Sequence, residues 1–398
     1  MALLDRFVRY VRINTQSDDT TGTTPSTECQ KNLGNLLVKE LLELGLKDAH
    51  MDEWGNVYGH LPGNLPGKIG LNAHMDTALE VSGENVKPCL VKSYSGGIIK
   101  LTNGLEMSPK SFPTLKDHIG HDLVVTDGNT LLGADDKAGI AIIMGALEFY
   151  HNHPEVEHHT ICVCFTVDEE IGEGPLHFNY EKMGADFAYT FDGAHPHIIE
   201  CENFNAMSLS IHIKGVSIHP GEGKDKLINA ALVATELISL FPQNDNPFHS
   251  EGDQGFWHLT GLSGSSDEAD INLIIRDFYI DKLENRVNRI NEAIEQIKQM
   301  YPQIELTYSY KDQYENMKQY VDQKIEVVER AKKALEMNGL KPEIGRIRGG
   351  TDGATMSKNG LITPNLGTGS YNHHGRFEYL DVQELELLTK VAIDITRI

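Results

Sequence analysis

The chain has 398 residues, 40% hydrophobic and only 7% aromatic, enough to bury two cores, so two domains are expected. Its 35 Lys and Arg against 58 Asp and Glu leave a formal charge of -23, which opposes non-specific binding to nucleic acid, where phosphates must be neutralised. No run approaches the length of a membrane span, and the opening Met1-Ala2-Leu3-Leu4-Asp5 has no basic stretch followed by an apolar core, so neither a membrane protein nor a secretory signal is expected.

Leu3, Leu4, Phe7, Val8 and Val11 recur at helical spacing. Ser26 and Thr27 read as the start of a second helix that runs to Leu44 and stops at Gly45. Short strands are expected at 56–61 and 69–74. Residues 130–134 lead into a helix over 139–151, and strands follow at 160–167 and 187–191. Helices alternating with apolar strands describe a layered α/β domain with a mostly parallel sheet. The five cysteines (Cys29, Cys89, Cys162, Cys164 and Cys201) show no Cys-x-x-Cys spacing. Cys162 and Cys164 alternate within one apolar run and read as a buried reduced pair on one strand face, which suits the cytoplasm.

From Asn205 the texture changes. Met207, Leu209, Ile211 and Ile213 alternate with polar residues, as in a sheet with one wet face. A helix over 226–240, strands near 256–262 and 271–278, a helix carrying Leu283, Val287, Ile290, Ile294 and Ile297, and a strand at 304–310 complete the order β-α-β-β-α-β. That order is a split βαβ, ferredoxin-like unit. A helix near 322–338, Gly-rich connections and a final helix from Asp381 return to α/β texture. The expected division is a discontinuous domain over 1–204 and 317–398, with 205–316 inserted into it.

Metal-type residues recur at the ends of apolar runs or in Gly-rich turns: His74-Met75-Asp76, Asp135-Asp136, Asp168-Glu169-Glu170, Asp192 and, in a polar Gly-bounded loop, His373-His374. Strand ends are where α/β sheets bind ligands, and scattered residues so placed are what a two-metal hydrolase needs. Asp76, two residues from His74, can orient its ring and raise its basicity. Of Asp135 and Asp136, one can bridge two metals while the bland reading is a helix cap. Glu169 and Glu170 diverge in direction, so one can bind metal while the other acts as general base. The ligand count puts His74, Asp135 and either Glu170 or Asp192 on each metal, with His374 opposite. Mixed nitrogen and oxygen ligation favours zinc, with Mn²⁺ or Co²⁺ as substitutes.

The strings NAHMDT, LLGADDKAG, FTVDEEIGEG, FDG, ENFNA, IIRDF, IRGGTDGA and YNHHG resemble the peptidase T group. These are the tripeptide aminopeptidases of the dizinc metallopeptidase family that also holds glutamate carboxypeptidase and succinyl-diaminopimelate desuccinylase. The similarity runs from the first helix to the last. The PSTE segment and the long stretch between Thr77 and Gly128, which includes SPKSFPTLKDHIGHDL, are similar to that group in particular.

The resemblance implies removal of the N-terminal residue from tripeptides by a hydroxide held between two zinc ions. His74, Glu170, Asp192 and His374 would be terminal ligands, with Asp135 bridging. Glu169 would be the general base and Asp76 the group that holds His74. The resemblance also implies a cis peptide between Asp135 and Asp136, and an inserted unit that acts as lid and homodimer interface. His219 would stabilise the developing oxyanion, and Arg276 and Arg348 would clamp the substrate carboxylate. The alternative on the same scaffold is a dipeptidase or an N-acyl-amino-acid amidohydrolase. His373 has no assigned metal. His118 and His121 fall in the long stretch, and nothing in the sequence requires a role for them.

Overall fold

The strand Leu65–His74 ends in six consecutive buried residues, from Ile69 to His74. A strand covered on both faces reads as a continuous buried run because crossover helices lie on each side. In the computed structural model, which describes residues 1–398, this strand is fourth in an eight-stranded sheet. The order is His50–Met51, Val57–Leu61, His159–Thr166, Leu65–His74, Phe187–Gly193, Asn365–Gly367, Ile198–Asn203 and Glu343–Ile347.

The three central strands and Asn365–Gly367 run parallel to one another. Val57–Leu61 runs antiparallel to His159–Thr166, and Ile198–Asn203 antiparallel to Asn365–Gly367. The sheet is therefore mixed rather than mostly parallel, since parallel pairing is confined to strands with connections long enough to cross over. The register pairs His74 with Thr166 and Asn72 with Thr190. The C-terminal ends of these three strands consequently lie at one edge of the sheet.

Helix Ala134–Asn152 packs on the central strands, and its residues from Ala138 to Leu147 are buried almost without a break. A glycine is needed at 139: a Cβ there would stand 2.1 Å from the Phe191 carbonyl oxygen. The C-terminal helix Val382–Arg397 lies against Ala134–Asn152, and its N-cap Asp381 accepts from the Glu384 N–H at 3.0 Å. At the other end of the chain, buried Arg6 in helix Leu3–Val11 donates to Glu40 in helix Gln30–Glu43 at 2.6 Å and to Glu148 at 2.8 Å.

Ser26 and Thr27 do not cap this second helix, which starts at Gln30 with no side-chain cap. Ser26 is spent elsewhere: its hydroxyl and its N–H both donate to Asp168, at 2.5 and 2.7 Å. A second, four-stranded sheet of Ser370–Tyr371, Tyr379–Asp381, Leu123–Val125 and Cys89–Val91 was not expected, because strands of two or three residues carry no period to read. Cys162 and Cys164 are buried and free. No helix is long and apolar enough to cross a membrane.

The chain divides into two compact units, one of Met1–Cys201, Met317–Arg346 and Thr351–Ile398, the other of Glu202–Asn316 with Ile347–Gly350. The second has strands in the order Phe256–Gly264, Glu268–Asp277, Asn205–Lys214 and Glu305–Tyr314, each paired antiparallel. Helices Ala230–Leu240 and Ile280–Met300 cover one face of it. Leu209, Ile211, Leu273, Ile275, Leu283, Ile290 and Ile294 form its core, so the alternation and the helical stripe meet as the split βαβ arrangement requires.

Candidate metal centre

His74 closes its strand, and the turn Gly133–Asp136 opens helix Ala134–Asn152 beside it, with Gly133 left-handed at φ 75°. The Asp135–Asp136 peptide is cis. One oxygen of Asp135 lies 2.9 Å from His74 Nε2, and His74 Nε2 lies 3.4 Å from Asp192. The other Asp135 oxygen lies 3.4 Å from His374 Nε2, which is 3.0 Å from Glu170. Asp135 thus stands between two donor sets, His74 with Asp192 and Glu170 with His374. The five residues named from the sequence converge in one place.

Asp136 also approaches His74 and Asp192. Its oxygens are committed, however: one accepts from the His74 N–H at 3.2 Å, the other from the Gly139 N–H at 3.1 Å. Asp135 therefore has the freer carboxylate. His373 lies 3.3 Å from Asp135 through Nδ1, while its Nε2 meets Ser370 Oγ at 2.9 Å.

Asp76 organises the site from behind. One of its oxygens accepts from the Glu169 N–H at 3.0 Å and lies 3.3 Å from His74 Nδ1. The other accepts from the Glu170 N–H at 3.1 Å and from Ser17 Oγ at 3.0 Å. Asp168, met in the sequence beside the two glutamates, is turned away from them and receives Ser26 and Gln30.

Two supports carry no sequence signal as ligands. Buried Glu378 accepts from the N–H groups of Leu132, Gly133 and Asp135 at 2.7, 2.8 and 3.0 Å, bracing the turn that carries Asp135. Buried Asp352 accepts from Thr166 Oγ1 at 2.6 Å, and burial pushes its carboxyl up to about 7. Glu378 lies four residues past His374, just beyond the YNHHG string, the only hint that could have found it.

Burial works against Asp135 ionising, but the imidazoles of His373, His374 and His74 overcome it and hold its carboxyl well below the ordinary range. Burial and the charge on Asp135 push Glu170 up to about 7, and burial with Asp192 raises Glu169 well above its usual value. Four carboxyl groups and three imidazoles crowded together in this way suit a cation. The buried Oε1 of Glu170 has no hydrogen-bond partner, and the donors are all nitrogen and oxygen, so the residues fit divalent metal.

The family model of peptidase family M20/M25/M40 matches residues 121–397. The chain belongs to this family. It is a metallo-exopeptidase. A protein named peptidase T from Clostridium perfringens (strain 13 / Type A) is 46% identical over 397 residues, covering 99% of this chain and 98% of its own. The fold is shared with a tripeptidase from Staphylococcus aureus at TM-score 0.78 and 22% identity, over 99% of this chain and 97% of that one. It is also shared with a Bacillus subtilis dinuclear metal-binding peptidase of the family at TM-score 0.63 and 13% identity, over 99% and 96%.

The remaining expected site residues lie in the second unit. His219 is exposed and caps the turn Pro220–Glu222, its Nδ1 accepting from the Gly221 N–H at 3.1 Å. In a neutral ring that bond puts the proton on Nε2. Arg276 is buried, donates to the carbonyls of Met207 and Ile275, and lies 5.2 Å over the Tyr314 ring. Arg348 donates to the carbonyls of Gly252 and Gln254 and stacks near Phe204 and Phe256.

Proposed function

We propose that this chain is a cytoplasmic, zinc-dependent aminopeptidase that releases the N-terminal residue from tripeptides. The observation that carries the reading is Asp135 standing between two donor sets, together with full-length similarity to proteins named peptidase T. His74 and Asp192 would hold one ion, Glu170 and His374 the other, with Asp135 shared. Two divalent ions so held would polarise the scissile carbonyl and acidify water.

The chain's own residues do the rest. Asp76 fixes the His74 ring and the backbone of Glu169 and Glu170. Glu169 takes the proton from the attacking water and delivers it to the leaving amine. The Nε2–H of His219, in the role of lid residue, donates to the developing oxyanion. Arg276 and Arg348, whose contacts are carbonyls and aromatic rings, are the candidates to read the C-terminal carboxylate. A carboxylate read at fixed distance from the amine gives preference for one peptide length. The unit Glu202–Asn316 is proposed as the lid and homodimer interface.

The test is a panel of di-, tri- and tetrapeptides with N-acyl amino acids on zinc-loaded enzyme. Tripeptides are expected to have the highest kcat/KM. Equal rates on N-acyl amino acids would replace this reading by an amidohydrolase, and preference for dipeptides by a dipeptidase.

A further inference from the structure

The turn His118-Ile119-Gly120-His121 brings two imidazoles together, closed by the His121 N–H to the His118 carbonyl at 3.0 Å. Both Nδ1 atoms converge on one atom, Oδ2 of Asp381, at 2.8 Å from His118 and 2.6 Å from His121. Asp381 is wholly buried and His118 nearly so, whereas the His121 side chain is 37% exposed. Glu384 is the fourth donor, its Oε1 lying 3.8 Å from His118 Nδ1.

Asp381 and Glu384 have the spacing of a helix capping box, in which the glutamate would turn back to the Asp381 N–H. It does not do so here. The Asp381 N–H goes to the Gly369 carbonyl at 2.9 Å, and Glu384 Oε2 accepts from the Tyr371 hydroxyl at 2.7 Å. The other oxygen of Glu384 is thereby left toward the imidazoles.

We infer that His118, His121, Asp381 and Glu384 form a further divalent transition-metal site, distinct from the dinuclear centre, with Zn²⁺ as its best-suited ion. Two neutral imidazoles and two carboxylates are a common zinc donor set, and their charge is cancelled by one divalent cation. A tetrahedral ion at about 2.0–2.1 Å from each donor needs the donors roughly 3.3 Å apart, so the two imidazoles would move slightly away from Asp381 and Glu384 slightly toward His118. Burial pushes Glu384 up to about 7 with the Asp381 charge adding to it, and a cation would relieve both. The exposed edge of His121 gives the ion its entry path.

The site also has a structural consequence. Asp381 ends the strand Tyr379–Asp381, which pairs with Ser370–Tyr371, and the loop between them carries His373, His374 and Glu378. Tyr371 packs 4.7 Å from the His118 ring and donates to Glu384. An ion here would pin the base of the loop that bears His374.

The experiment is zinc stoichiometry of full-length enzyme and of His121→Ala after chelation and reloading, read by native mass spectrometry and elemental analysis. Wild type is expected to hold one more zinc than His121→Ala, and its Co²⁺ derivative to lose one increment of visible d–d absorption in the variant. Since His121 is partly exposed, the variant should fold; His118→Asn gives a second count. Equal stoichiometry in all three proteins, with identical Co²⁺ spectra, would overturn the inference and leave a hydrogen-bonded His–Asp–His cluster. Because the readout is a difference between variants, it stands whether or not tripeptides prove to be the substrate.

Discussion

Asp76 accepts the backbone N–H of Glu169 at 3.0 Å through the same oxygen that faces His74 Nδ1 at 3.3 Å. One buried carboxylate therefore sets the ring of a proposed ligand and the backbone of the proposed base. Asp76→Asn should weaken the ion held by His74 by about 10–100-fold, measured by zinc-buffer titration. An unchanged affinity would mean that the contact is incidental.

His74, Glu169, Glu170 and Asp192 were legible because they lie at or just past the ends of apolar strands that parallel register brings to one edge, whereas Asp135 and His374 stood out only as metal-type residues in turns. What could not be read were the partners. Glu378, Ser17 and Gln30 act by meeting backbone or carboxylate groups far away in sequence, and such pairings leave no period. Asp168 looked like its two neighbours but is turned toward Ser26, at a left-handed φ of 59°. The choice between Asp135 and Asp136 likewise rests on which carboxylate the backbone has already occupied. His118 and His121 had no visible role, since Asp381 lies some 260 positions away.

Glu200 offers a pH test. Burial, with the Asp192 charge added, pushes its carboxyl up to about 7. A folded pKa above the unfolded one means that the folded state holds the proton longer, so the stability tied to this group is full below about pH 4.5. It is lost as pH rises through about 7. Glu200→Gln in metal-free protein should stabilise by roughly 3 kcal/mol at pH 8 and by little at pH 4.5. Equal thermal shifts at both pH values would show that Glu200 titrates normally.

Arg6 joins Glu40 and Glu148, with Tyr10 also donating to Glu40. Glu40→Ala leaves a buried guanidinium short of its partner and should cost about 3–5 kcal/mol in denaturant unfolding. A loss below about 1 kcal/mol would place this pair with exposed ion pairs.

His219 is proposed to complete the site from the lid, in its own subunit or in a partner. Mixing His219→Ala with Glu169→Ala after dissociation and reassembly should restore part of the activity if His219 acts across subunits. No recovery from mixtures shown to contain heterodimers would confine His219 to its own subunit.

Glu169 is proposed to move protons while His74, Asp135, Glu170, Asp192 and His374 hold metal. The most direct measurement is tripeptide turnover and bound metal on the same preparation of Glu169→Gln. The variant should keep the wild-type metal content while kcat falls by about 10²–10⁴-fold, the size of a lost general base. Wild-type turnover with full metal would contradict the account.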